Sequence, residues 1–179
     1  MPEIEIRPLT PEDIESLSAF EHSYYSEYVW QTNLDVVSDR AQADFRRIRL
    51  PRRVFVAYPR ERTRIFTALD GVEAFIVAVS SGRTVGYLKI MAEEEARVAR
   101  VSDLVVSASM RRQGIASGLM LAAMDIAAHR HFKTVMMAMQ SKNDPAIHLA
   151  IKLGFNFSGF REHYFPNQDL ALFFSRITR

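Results

Sequence analysis

The stretch that decides the reading of this chain is Asp103-Leu104-Val105-Val106-Ser107-Ala108-Ser109-Met110-Arg111-Arg112-Gln113-Gly114-Ile115-Ala116-Ser117. It closes an apolar run, Val101 to Val106, broken only by Ser102 and Asp103. It then opens a pattern that places Ile115, Leu119, Ala123 and Ile126 on one helical face. Strand, short loop and helix follow in that order. The first turn of a helix carries unpaired N–H groups and a partial positive charge, so it favours an anion. Gly114 and Ala116 keep bulk away from that turn, and Arg111 and Arg112 add charge-assisted donors. The stretch reads as a cradle for a pyrophosphate. Its spacing is neither G-x-G-x-x-G nor G-x-x-x-x-G-K-[ST], so it does not specify whose pyrophosphate. Taken alone, the same string also describes an ordinary helix start beside surface arginines.

Moving outward, the bulk composition narrows the class. With 179 residues and 48% hydrophobic content, one compact domain over residues 1–179 is expected. The absence of cysteine excludes a disulfide framework, a thiolate nucleophile and a thiolate metal site. Met1 to Arg7 hold no apolar signal core, and no apolar run is long enough to span a bilayer, so a soluble, cytoplasmic protein with no membrane partner is expected. A net charge of +2 gives no argument for nucleic acid. His129 and His131 are two apart and do not share a helix face, so no metal is assigned.

Charge is segregated along the chain. Between Leu9 and Phe45 stand Glu12, Asp13, Glu15, Glu21, Glu27, Asp35, Asp39 and Asp44 against Arg40 alone. From Arg46 to Arg64 the sign reverses, with Arg46, Arg47, Arg49, Arg52, Arg53, Arg60, Arg62 and Arg64 against Glu61. These runs are either two solvated faces or an acidic rim that attracts a cationic ligand.

The remaining elements fall on either side of the centre. Glu3 to Pro8 alternates like a short edge strand. Thr10-Pro11-Glu12-Asp13 opens a helix, with threonine as N-cap and proline at its first position. Tyr24, Tyr25, Tyr28 and Trp30 cluster before a helix expected from Asp35 to Arg49. Val54 to Tyr58 is read as a strand ended by Pro59. Ala74 to Val79, Gly86 to Met91 and Val98 to Val106 form an antiparallel meander, because their short turns permit only that pairing. Thr134 to Met139 then completes a right-handed strand–helix–strand unit with parallel strands. Asn143 caps a helix with Ile147 and Ile151 facing inward, stopped by Gly154. Phe155 to Tyr164 and Leu170 to Ile177 close as a hairpin. The fold class is α+β with a mixed sheet.

Asp103 to Val106 followed by Arg111-Arg112-Gln113-Gly114-Ile115-Ala116 resembles the acetyl-CoA motif of the GNAT superfamily of N-acetyltransferases, Arg/Gln-x-x-Gly-x-Gly/Ala after an apolar strand. Asn143-Asp144-Pro145-Ala146-Ile147-His148-Leu149 to Lys152-Leu153-Gly154-Phe155 resembles the family's following helix. The two motifs lie in order, one helix and one strand apart. The resemblance implies the GNAT fold, in which two parallel strands splay to admit the pantetheine arm of acetyl-CoA. It implies that the backbone of Leu104, Val105 and Val106 pairs with that arm and that one N–H polarises the thioester carbonyl. Arg111, Arg112, Gln113, Gly114, Ile115, Ala116 and Ser117 would hold the pyrophosphate, and Asn143 would contact the pantetheine or orient a water. The activity implied is acetyl transfer from acetyl-CoA to a primary amine of a small molecule or peptide, by direct attack in a ternary complex. Dimers are common among such proteins, so a homodimer is a further implication.

The chain departs from the family at two catalytic positions. Where many members carry a glutamate before the strand aspartate, this sequence has Ser102, which leaves Asp103 as the candidate base. Where many carry a tyrosine after the leucine of the second motif, it has Ala150, so the candidate acid moves to Tyr164 or to solvent. The alternative is a catalytically reduced module that binds acyl-CoA as a sensor or interaction partner. The segment Tyr164-Phe165-Pro166-Asn167 and Asp169 to Phe174 also resembles the tail of streptothricin-type acetyltransferases in the same superfamily.

Overall fold

The computed structural model describes residues 3–178. In chain order the elements are β1 (Ile4–Pro8), α1 (Pro11–Ser18), β2 (Tyr24–Val37), β3 (Arg40–Val56), α2 (Arg62–Thr67), β4 (Val72–Ser80), β5 (Arg83–Glu93) and β6 (Val98–Val106). They continue with a 3₁₀ turn (Ala108–Met110), α3 (Ile115–His129), β7 (Thr134–Gln140), α4 (Asp144–Lys152), β8 (Asn156–Arg161) and β9 (Ala171–Ile177). Seven strands make one sheet in the order β1-β4-β5-β6-β7-β9-β8. Only β6 and β7 run parallel within it; the other neighbours are antiparallel. No helix among the described residues is long and apolar enough to cross a membrane.

Both sheet faces are covered, which explains why β4 and β5 are near-continuous apolar runs rather than alternating ones. Ile76, Ala78, Leu88 and Ile90 face a cluster with Leu119, Ala123 and Ala127 of α3 and Ile147 of α4. Val77, Val79 and Tyr87 point the other way, onto Leu17 of α1 and Ile65 and Phe66 of α2. The N-cap of α1 forms as read: Thr10 N–H and Oγ1 donate to the Asp13 carboxylate at 2.9 and 3.0 Å. Asp13 also accepts from Arg7 at 2.7 and 2.9 Å and from Thr84 at 2.7 Å, tying β1 and β5 to α1.

Three expected elements differ. The helix expected over Asp35 to Arg49 is absent; those residues belong to β2 and β3, a two-stranded antiparallel arm outside the main sheet. Its register, Val37 opposite Arg40, leaves Ser38-Asp39 as a two-residue turn. Alternation along Tyr28, Trp30, Thr32, Leu34 and Val36 is a period of two, and it was masked by polar residues that also suit a helix. The strand expected from Phe155 to Tyr164 ends at Arg161, so Tyr164 lies in the connection to β9. Ile151 does not face inward: it is 49% exposed, and Ala150 takes the buried position instead.

The arm is pinned to the body at its middle. Trp30 N–H donates to Ser141 O at 2.9 Å. Arg47 grips Asp144 at the start of α4 with two bonds, 2.7 and 2.9 Å, and Trp30 Nε1 adds a third at 3.2 Å. Phe45 packs on Phe157 and Phe160 with centroids 4.7 and 5.2 Å apart. The hairpin sets Glu27 of the acidic run beside Arg49 of the basic one, while Asp35 pairs with Arg40 of its own run.

Candidate active site

The centre of the sheet is where β6 and β7 part company. Their parallel pairing runs only from Val98–Thr134 to Val101–Met137. At that point β6 bulges: Ile90 opposes Val101 while Lys89 opposes Asp103, leaving Ser102 as the extra residue. The bulge reverses which side chains face which layer. Ala99 and Val101 lie in the α3–α4 cluster, whereas Val105 lies in the α1–α2 cluster and Leu104 and Val106 return to α3. Ser107 N–H donates to Val85 O of β5 at 2.9 Å. Because successive N–H groups of a strand alternate in direction, those of Leu104 and Val106 point away from β5, into the gap. The Val106 carbonyl opens on the same side, where Arg111 Nε reaches it at 3.0 Å.

At the end of this gap stands the mouth of α3. Its N-cap is Gly114, at φ 85° and ψ −5°, with no side-chain cap bond. The first amide bonded back into the turn is that of Gly118, to Gly114 O at 3.0 Å. Among the described residues, nothing else in the protein satisfies the N–H groups of Ile115, Ala116 and Ser117, which is the general condition of a first helical turn. A Cβ at Gly114 would meet no atom within 4 Å, so the approach to these amides is open. Ile115 is 4% exposed and its side chain belongs to the core; only its backbone is offered here. Arg112, Gln113 and Gly114 are exposed.

Arg111 is committed in part. Besides Nε to Val106 O, its Nη2 donates to Glu21 O at 2.9 Å and Ser23 O at 3.3 Å. These bonds brace the loop against the segment before β2, and no partner of Nη1 stands among the described residues. Asn143 is likewise committed in part, since its Oδ1 accepts from Ala146 N–H at 3.2 Å to cap α4. Its amide NH₂ remains free to donate.

On the α1–α2 side of β6, Asp103 is 4% exposed and surrounded by donors. Tyr58 donates to its Oδ1 at 2.6 Å and Ser102 Oγ to its Oδ2 at 2.8 Å. Arg60 Nη1 lies 3.6 Å from Oδ1 and also donates to Ser102 O. Burial raises the Tyr58 hydroxyl well above its ordinary pKa, reinforced by the Asp103 charge. The His22 ring stands edge-on to Tyr58, with centroids 5.2 Å apart, and its Nε2 lies 2.8 Å from the Tyr87 hydroxyl. Desolvation lowers the pKa of that histidine. The segment before Tyr58 crosses the gap: Ala57 O takes a bond from Gln140 Nε2, at the end of β7, at 3.5 Å. Tyr24 reaches the same glutamine, Oη to Oε1 at 3.4 Å, and Gln140 donates to Asp169 at 2.7 Å.

Tyr164 is not among the partners of Asp103, which are Tyr58, Ser102 and Arg60. It stacks edge-on against Phe165 and Phe173, with centroids 5.1 and 5.2 Å apart. Ala150 is fully buried in α4. Tyr24, Tyr58, Arg60 and Gln140, which do surround the gap, carry no mutual spacing in the sequence. Only the aromatic cluster around Tyr24 hinted at one of them.

A splayed parallel pair, an uncapped glycine-led helix mouth at its end and a bulge at the divergence together form one site. The profile of the acetyltransferase (GNAT) family matches residues 35–155. The chain belongs to the GNAT acetyltransferase family. Its coordinates superpose on nourseothricin acetyltransferase with a TM-score of 0.82 at 20% identity, over 98% of this chain and 99% of that one. A protein designated a streptothricin acetyltransferase from Bacillus anthracis str. Ames, crystallised in complex with acetyl coenzyme A, gives 0.76 at 16% identity, over 98% and 99%. The ribosomal-protein-S18-alanine N-acetyltransferase of Escherichia coli gives 0.69 at 15% identity, over 98% and 94%. No curated protein matches the sequence. The GNAT family draws its acyl group from acetyl-CoA. The α3 mouth, with three unpaired amides and no side chain at residue 114, fits the diphosphate of that donor.

Proposed function

We propose that this chain moves an acetyl group from acetyl-CoA to a primary amine of a small molecule or peptide, by direct attack while both are bound. The observation that carries the reading is the coincidence of the open α3 mouth with the divergence of β6 and β7. Acetyl-CoA supplies a thioester carbonyl to which a neutral amine adds. The protein's work is to bring the two together and to manage charge and protons. Leu104 and Val106 present N–H groups to the gap, fixed by the sheet and suited to stabilise a developing oxyanion without reorganisation. Gly114 to Ser117 and Gln113 hold the diphosphate, with Arg112 beside them.

The acceptor is an alkylammonium at neutral pH and must lose a proton. Asp103 is the nearest carboxylate, but Tyr58 stands over it. The Tyr58 hydroxyl donates to Asp103 Oδ1 and keeps lone pairs to accept from the amine. A proton leaving nitrogen binds the Tyr58 oxygen as the Tyr58 proton passes to Asp103. The tyrosine thus ends neutral, in keeping with its raised pKa. A thiol has a pKa of about 8.5, so the leaving group departs without a dedicated side-chain acid, and Ala150 is tolerated.

The test is acceptor-dependent release of free thiol from acetyl-CoA across nourseothricin, β-lysine peptides, polyamines, aminoglycosides and peptide N-termini. Nourseothricin heads the panel because the acetyltransferase of that name shares the whole fold. Release with at least one amine, and a product heavier by one acetyl group, is the expected result. Tight acetyl-CoA binding with no release across the panel would refute transfer and favour the acyl-CoA-binding module.

A further inference from the structure

Tyr58, the residue that stands over Asp103, gets no regular support from its own backbone. Residues 57–61 join β3 to α2 and belong to no helix or strand. The support comes from the sheet instead. Tyr87 is fully buried on β5 and packs against Phe66 and Phe75, with ring centroids 5.5 Å from each. Its hydroxyl lies 2.8 Å from His22 Nε2. The His22 ring in turn meets Tyr58 edge-on at 5.2 Å and Tyr87 at 5.8 Å. A histidine that the proposed reaction does not use thus links a fixed tyrosine to the one over Asp103.

Both nitrogens of that buried ring are spent. Nδ1 is 2.7 Å from Phe20 O. A carbonyl only accepts, so Nδ1 carries the proton and Nε2 accepts from the Tyr87 hydroxyl. Flipping the ring would set carbon atoms against both partners, which fixes its orientation. Tyr87 gives its proton to His22, leaving Asp103 to Tyr58, Ser102 and Arg60. The segment carrying the histidine is anchored on either side of it. Arg111 Nη2 donates to the carbonyls of Glu21 and Ser23, and its Nε to Val106 O. Val106 is one of the two residues whose N–H groups face the gap. The brace therefore ends on the strand beside the thioester site, and the histidine at its middle ends on the ring over Asp103.

We infer that His22 is a positioning residue: through its bond to Tyr87 and its edge on Tyr58 it holds the Tyr58 hydroxyl over Asp103. The inference rests on the proton path through Tyr58 proposed above. His22 takes no proton from the acceptor and acts only through Tyr58. A reacting group has to be held within about 0.5 Å of its productive place. A misplacement of about 1 Å costs on the order of 10²-fold in rate. Releasing His22 from Tyr87 frees the Tyr58 ring by part of that distance.

The test is a double-mutant cycle in the full chain, with acetyl-CoA and an amine from the panel above that releases thiol. H22F keeps a ring and removes both bonds; Y87F removes only the hydroxyl at the far end of one. Each should lower kcat about 10-fold, with the KM for acetyl-CoA within about two-fold of wild type. H22Q, whose amide oxygen can accept from Tyr87, should restore most of the rate. In a Y58F background neither H22F nor Y87F should lower kcat further, because the group they position is gone. A merely structural role would cost the same in both backgrounds, and that result overturns the inference. So does a wild-type kcat in Y87F and H22F while Y58F alone is slow. If H22F does not fold, Y87F carries the cycle by itself. A Y58F enzyme as fast as wild type removes the proton path and this inference with it, and that failure is read in Y58F before any change at His22.

Discussion

Gly114→Glu separates the fold from the cradle. Residue 114 has a positive φ of 85°, and a Cβ there touches nothing within 4 Å. The cost to the fold is therefore the left-handed backbone penalty alone, about 1–2 kcal/mol. In a domain of this size that is a fall in Tm of roughly 2–8 °C. Binding loses more. A carboxylate at the N-cap position competes for the first-turn amides itself, and each bond from such an amide to a charged oxygen contributes about 1.5–3 kcal/mol. That carboxylate also repels the diphosphate: about 3 kcal/mol at ~5 Å and an effective dielectric of ~20, cut to about 1 by exposure and salt. Loss of one amide bond plus this repulsion comes to about 2.5–4 kcal/mol, or roughly 10²- to 10³-fold in Kd. Calorimetric titration with acetyl-CoA reads the affinity, and Gly114→Ala, with the same backbone penalty and no charge, is the control. An affinity within a few-fold of wild type, alongside the expected fall in Tm, would refute the assignment of the diphosphate to this helix mouth.

Other perturbations probe the remaining parts. Tyr58→Phe breaks the proposed proton path and should lower kcat by about 10²-fold below the acceptor's pKa, with recovery as the amine deprotonates itself at higher pH. A pH–rate profile parallel to wild type would remove Tyr58 from the reaction. Arg111→Ala strips donors from three backbone carbonyls and should cost about 1–3 kcal/mol of stability with little change in acetyl-CoA affinity. An unchanged Tm with a large loss of affinity would return Arg111 to the phosphate site. Asp13 is held below the ordinary carboxylate range chiefly by Arg7. The stability it contributes is complete above about pH 4 and is lost as pH falls toward its lowered value. Asp13→Asn should therefore destabilise at pH 7 by about 1–3 kcal/mol and flatten the acid limb of Tm against pH; an unchanged limb would mean other carboxylates govern it.

The helix mouth proposed to hold the diphosphate is legible because its geometry is local. Gly114, the helix it opens and the strand before it are contiguous, so its free amides are set within about one turn of chain. The side-chain assignments were less secure. The sequence does not say that Arg111 also braces three backbone carbonyls, because a guanidinium serves carbonyl and phosphate alike. The sequence, which leaves the acid to Tyr164 or solvent, does not show that Tyr164 packs edge-on against Phe165 and Phe173. Tyr58 was missed because what matters about it is its contact with a residue 45 positions away.

The amino-acid sequence by itself determined the meander, the parallel unit, the helix with an open N-terminus and the family to which they belong, since each rests on periodicity and capping over short spans. Only the tertiary structure decided that residues 24–56 form an arm, that Ser102 is a bulge, and that Tyr24, Tyr58, Arg60 and Gln140 close around the gap. The physical reason is distance along the chain. An arm strand is held by its cross-strand partner and by α4, and a bulge by the strand opposite, so neither leaves a pattern that local propensity can register.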